Sequence, residues 1–94
     1  MWFINHFFIV VFIPLFIYMG ERRYKAELKA LGIRIRKIRE ANNLIQLDLE
    51  VKTGISRSDI SKIENGLKNI EFITIVKIAE ALDVNVFDLF KPER

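Results

Sequence analysis

One stretch, Gln46 to Gly66, constrains this chain more than any other; it reads QLDLEVKTGISRSDISKIENG. Two short helices are implied. The first runs from about Gln46 to Thr53, with Leu47, Leu49 and Val51 as its main apolar residues. Gly54 follows as its C-terminal glycine, since it takes a positive φ without a Cβ clash. Ser56 suits the N-cap of the next helix, Arg57 to Asn65. Asp59 sits at the third position of that helix, where a carboxylate complements the cap and the helix dipole. Ile60 and Ile63 give this second helix an inward face, and Gly66 ends it. Thr53-Gly54-Ile55 stands between the two.

The rest of the composition narrows the classes. Ninety-four residues permit one small domain. Cysteine is absent, so there is no disulfide framework and no thiolate metal site. The lone histidine, His6, builds neither a zinc site nor a triad by itself. No nucleophile–base pair, phosphate-cradling glycine loop or ligand cluster is visible, so neither an enzyme nor a cofactor or metal is expected. The net charge of +3 is unevenly spread. Residues 21–40 hold eight Lys or Arg against three Glu, whereas residues 41–94 hold seven basic against nine acidic side chains. A basic N-terminal half beside a near-neutral remainder suits phosphate contact from one side; a solvated helix face is the plainer alternative.

Residues 2–19, WFINHFFIVVFIPLFIYM, contain no Lys, Arg, Asp or Glu. A run of roughly 18 apolar residues meets the lower bound for a membrane-spanning helix. The basic residues that follow, Arg22, Arg23 and Lys25, would hold that side in the cytoplasm. A cleaved signal peptide fits poorly, because no basic region precedes the run and no small-x-small site follows it. Three accounts therefore stand side by side: an inner-membrane anchor, upstream translation before a start at Met19, or some other hydrophobic role. The expected organisation is an apolar segment over 1–20, a basic lead-in over 21–30, a helical domain over 31–90 and a tail over 91–94.

Residues 24–94 read as helical throughout. Leu28, Leu31, Ile35, Ile38 and Ala41 or Asn42 recur every three to four residues and predict a first amphipathic helix, with Lys29, Arg34, Arg36 and Lys37 on its exposed face. Asn42-Asn43 is a stop signal. Glu71 to Leu82 predicts a fourth helix with Ile75, Ile78, Ala79 and Leu82 inward. Asn85 can cap a last short helix from Val86 to Phe90, before Lys91-Pro92 ends the fold. The core is expected to add Phe72, Phe87 and Phe90 to these aliphatic positions.

Two short helices at this spacing match a helix-turn-helix, in which the first braces the second in the DNA major groove. Ser56, Arg57 and Ser58 lie at the start of the second helix, the end that enters the groove. Arg57 can donate two hydrogen bonds to guanine O6 and N7. Lys62 lies further along the same edge, and Ser58 is short enough to permit close approach. Asp59 could accept from cytosine N4, although capping is its plainer role. Gln46, opening the first helix, can reach a phosphate with side chain and N–H. Lys68 and Asn69 form a polar loop able to clamp the backbone, or serve only as a turn.

Leu31 to Phe90 resembles the Cro and phage-repressor type of helix-turn-helix domain, the XRE family. The resemblance rests on Ile38 and Arg39, then on Gln46, Leu49, Thr53, Gly54 and Ile55. It continues through Ser56, Ile60, Ser61, Ile63, Glu64, Asn65 and Gly66, and through Ile75, Ile78, Ala79, Ala81, Leu82 and Val86-Phe87-Asp88-Leu89-Phe90. It implies an all-α, five-helix lambda-repressor-like bundle, here with an N-terminal apolar helix. It also implies phosphate contacts from Gln46 and Asn65, groove-facing Ser56, Arg57, Ser58 and Lys62, and a partly buried ion pair between Arg39 and Glu64. Two positions depart from the family pattern. Glu50 stands where a small residue, often Ala, lets the two helices touch, so its carboxylate must reach solvent or the crossing must open. Ile70 replaces a frequent proline.

The expected function is sequence-specific binding of double-stranded DNA by a transcriptional regulator acting as a homodimer, in the cytoplasm at the nucleoid. The alternative is a membrane-anchored or antitoxin-like adaptor, held through residues 2–19, with its basic helix on anionic headgroups.

Overall fold

The computed structural model describes residues 2–92, with side chains at residue 6 and from residue 9 onward. In chain order it contains α1 (Trp2–Ala41), α2 (Gln46–Thr53), α3 (Arg57–Glu64), α4 (Phe72–Ala81) and a closing 3-10 turn (Val86–Leu89). No strand occurs among the described residues. The five expected helices are thus four and one tight turn. The apolar segment, the basic lead-in and the first amphipathic helix are a single helix of 40 residues, which Pro14 does not end.

The first part of α1, up to Met19, carries no charged side chain. Its apolar side chains from Ile9 to Met19 are exposed. Among the described residues no helix is long and apolar enough to cross a membrane. The side chains at 2–5, 7 and 8 lie outside the described residues.

The core draws on every element. Leu31 and Ile35 come from α1, Leu49 from α2, Ile60 and Ile63 from α3, Ile75, Ile78 and Ala79 from α4, with Leu82 and Leu89 closing it. Several aromatic and aliphatic expectations are overturned. Phe72, Phe87 and Phe90 are exposed, as are Leu47 and Val51. Positions 47, 49 and 51 repeat every two residues, and a helix of 3.6 residues per turn cannot place all three on one face. Leu49 alone goes inside, and the inward stripe of α2 is instead Gln46, Leu49, Glu50 and Thr53. Phe72 is the first residue of α4, where the apolar stripe overhangs the core. In the closing turn Leu89 is the residue that inserts. Arg34 Nη1 donates to the Leu89 carbonyl at 3.2 Å, which withdraws Arg34 from the basic exposed face.

Two glycines let α1 lie directly on the end of α3. A Cβ on Gly32 would strike the Ile63 and Glu64 carbonyl oxygens, and one on Gly66 would fall 2.7 Å from the Lys29 Cα. Gly66 also takes φ +70, a region open to glycine. This close packing fixes α3 against α1.

Candidate nucleic-acid interface

The turn before α3 is locked by hydrogen bonds from short side chains. Thr53 Oγ1 donates to the Leu49 carbonyl at 2.6 Å and accepts from the Ile55 N–H at 3.1 Å. Gly54 sits at φ 76, and its N–H closes on the Glu50 carbonyl. Ser56 then caps α3 by accepting from the Asp59 N–H at 3.2 Å. With Ile60 and Ile63 fully buried, the helix has one orientation available. It leaves Ser56, Arg57, Ser58 and Lys62 together on the solvent side, all exposed.

Behind that edge lies a buried polar network. Arg39 Nε donates to Glu64 Oε2 at 2.7 Å and its Nη2 to Oε1 at 2.9 Å, a two-pronged pairing. Its Nη1 donates to the Leu44 carbonyl at 2.8 Å. Gln46 Nε2 donates to Glu64 Oε1 at 3.1 Å. Arg39 is 7% exposed and Glu64 4%. Its hydrogen bonds to the Glu64 carboxylate raise the already high pKa of Arg39, against the opposing effect of burial. The guanidinium therefore stays charged at any working pH. The network joins the end of α1, the start of α2 and the last turn of α3. Gln46 is accordingly half-buried and bound to its neighbours rather than free at the surface.

Asn65 is the C-cap of α3, and its Nδ2 donates back to the Ser61 carbonyl at 2.9 Å. Beyond it, Lys68 Nζ lies 2.9 Å from Asp59 Oδ2, tying the loop after α3 to the first turn of that helix. Asp59 thus presents its N–H to Ser56 and its carboxylate to Lys68. The ammonium of Lys68 holds the Asp59 pKa below its ordinary value. Because the folded pKa is lowered, the pair contributes above the ordinary aspartate range and is lost as pH falls through the depressed value. Asn69 is exposed in the same loop.

Glu50 has a role that its sequence position did not suggest. Its carboxylate reaches the exposed rim of the α2–α3 seam and is engaged there. Oε2 accepts from the Arg57 backbone N–H at 3.1 Å, the first N–H of α3. That N–H has no partner inside its own helix. The only signal in the sequence is an acidic side chain seven residues before an N–H that the Ser56 cap leaves unpaired. Ile70, the second departure, packs partly buried against the core.

The profile of the helix-turn-helix family matches residues 35–89. The uncharacterized HTH-type transcriptional regulator y4dJ of Sinorhizobium fredii is 31% identical over 64 residues, covering 68% of this chain and 83% of that protein. Among solved structures, the restriction-modification controller protein C.AhdI from Aeromonas hydrophila is 37% identical with a TM-score of 0.68, over 69% of this chain and 98% of that one. The controller protein C.Esp1396I, solved as a tetramer in complex with its natural 35 base-pair operator, is 28% identical with a TM-score of 0.60, over 68% of this chain and 95% of that one.

Proposed function

The chain belongs to the XRE-type helix-turn-helix family of transcription regulators, and from that premise we propose that it binds double-stranded DNA at specific sites, with α3 in the major groove. The observation that carries this reading is the exposed row Ser56, Arg57, Ser58 and Lys62, on a helix whose other face is locked by Ile60, Ile63 and the Arg39–Glu64–Gln46 network. Ser56, Arg57, Ser58 and Lys62 read base edges. Asn65, Lys68 and Asn69 meet phosphates, and so does Gln46 through its backbone N–H at the start of α2 while its amide holds Glu64.

The test is selection of bound sites from random duplex, followed by Arg57→Ala. The variant should lose about 1–3 kcal/mol at one base pair and bind the other substitutions there as well as the original. An equal loss on every sequence would assign Arg57 to phosphate instead. A folded sample with no affinity for any duplex at low ionic strength would end the proposal.

Lys68→Ala should weaken binding to selected and random duplex alike, and flatten the log–log salt dependence by about one unit. The same change releases the Asp59 carboxylate that Lys68 engages. Titration over a range of salt checks it, and an unaltered slope removes Lys68 from the interface.

Small single modules bury little surface on DNA, so a homodimer is part of the proposal. The exposed Phe87 and Phe90 supply an apolar contact for it. The C.Esp1396I controller protein, which meets its operator as a tetramer, supports assembly of this kind. Selected sites should then be two-fold symmetric, with half-sites about 34 Å apart.

A further inference from the structure

We propose that Glu50 is a positioning residue for DNA discrimination: from α2 it fixes the first turn of the reading helix and suppresses indiscriminate binding through its charge. The inference rests on the DNA-binding reading above and deepens it. Glu50 sits on the seam between α2 and α3, between fully buried Leu49 and Val51, which is 78% exposed. Its Oε2 accepts the Arg57 N–H at 3.1 Å, while Ser56 Oγ accepts the Asp59 N–H at 3.2 Å. Two acceptors from two different elements therefore hold one turn of α3. Arg57 carries the guanidinium assigned to the base edge, so the backbone atom that Glu50 grips is the root of that side chain.

The charge acts separately from the grip. A carboxylate at this point complements the positive end of α3. It also faces the approach of a polyanion, where Coulomb repulsion weakens contact with every duplex irrespective of sequence. Arg57 gains on the correct base pair because its starting geometry is fixed; incorrect sequences meet the repulsion without that gain. The network of Arg39, Glu64 and Gln46 braces the far end of α3, and Glu50 braces the near end.

Three substitutions separate reach from charge. Glu50→Gln keeps an oxygen at the same distance and removes the charge. Glu50→Asp keeps the charge and withdraws the oxygen by one methylene. Glu50→Ala removes both. Affinity for random duplex should rise a few-fold in Glu50→Gln and Glu50→Ala and stay level in Glu50→Asp. Preference for the Arg57 base pair should survive in Glu50→Gln and fall by about fivefold or more in Glu50→Asp and Glu50→Ala, at least the low end of what such an arginine contact discriminates. In an Arg57→Ala background the preference should no longer respond to position 50. Amide exchange at Arg57, measured without DNA, should quicken in Glu50→Ala and Glu50→Asp but not in Glu50→Gln.

A merely structural Glu50 would change melting temperature and leave the preference ratio alone, which overturns the inference while the parent protein still selects its site. Unchanged exchange at Arg57 across the series overturns it as well. Loss of the DNA-binding reading would show itself differently, as a parent protein that binds no duplex.

Discussion

Arg39→Ala should lower the free energy of unfolding by about 3–5 kcal/mol, the characteristic loss when one member of a buried ion pair is removed. The guanidinium makes three hydrogen bonds, two to Glu64 and one to the Leu44 carbonyl. Its removal leaves a carboxylate that is 4% exposed with the Gln46 amide as its remaining side-chain partner. The pair itself adds little net stability, since both charges lose water to form it; the harm comes from stranding one of them. Replacing both residues together with apolar ones of similar size, Arg39→Met with Glu64→Leu, should therefore recover most of the loss. Urea denaturation of the single and double variants measures this directly. A single variant within about 1 kcal/mol of the parent would mean that solvent reaches the pair in solution, as it does for exposed pairs. The double variant carries a second consequence. Its stability returns, but the charged link from α1 through Glu64 to Gln46 does not, so its preference among DNA sequences should remain impaired.

What the sequence made legible follows from where side-chain chemistry and periodicity agree. The inward residues of α3 and α4 could be read because Ile60, Ile63, Ile75, Ile78 and Leu82 fall at helical spacing and are also apolar. In α2 the two signals conflict. Its apolar residues at 47 and 51 point outward, while its inward stripe consists largely of Gln46, Glu50 and Thr53, each engaged in a hydrogen bond. Hydrophobicity alone selects the wrong face there. The closing turn is ambiguous in a related way, because four apolar residues in Val86-Phe87-Asp88-Leu89-Phe90 compete for the core: Leu89 enters it, Val86 packs partly against it, and both phenylalanines stay outside. The continuity of α1 was hidden because an abrupt change from apolar to basic composition looks like a boundary. Backbone helicity ignores that change when neither side contains a breaker stronger than Pro14 or Gly20. On the exposed edge of α3, spacing places Ser56, Arg57, Ser58 and Lys62 together. It gave no hint that Lys68 spans to Asp59 or that Glu50 caps α3, since both contacts are set by tertiary packing.

Gly32→Ala should destabilise the fold by about 3 kcal/mol or more, the upper part of the range for overpacking, because the obstruction is backbone on both sides of the contact. The new Cβ would lie 2.5 Å from the Glu64 carbonyl oxygen and 2.8 Å from the carbon that bears it. Neither can rotate away as a side chain would. The sign is what makes the experiment informative. A glycine inside a helix is ordinarily worse than alanine by roughly 0.5–1 kcal/mol, so the local effect of this substitution is favourable and only the contact with α3 opposes it. Gly20 in the same helix is the control, since a methyl group added there would meet nothing within 4 Å. Gly20→Ala should stabilise by about 0.5–1 kcal/mol. Thermal or urea unfolding of the two variants, side by side, then measures the contact free of helix propensity. Any relief of the clash must move α1 away from Ile63 and Glu64, which lengthens the Arg39–Glu64 bonds and frees the last turn of α3. Gly32→Ala should therefore lose preference for its selected site faster than it loses affinity for random duplex. Equal stability in Gly32→Ala and the parent would show that α1 does not lie on α3 this closely, and the geometry that aims Arg57 would have to come from α2 alone.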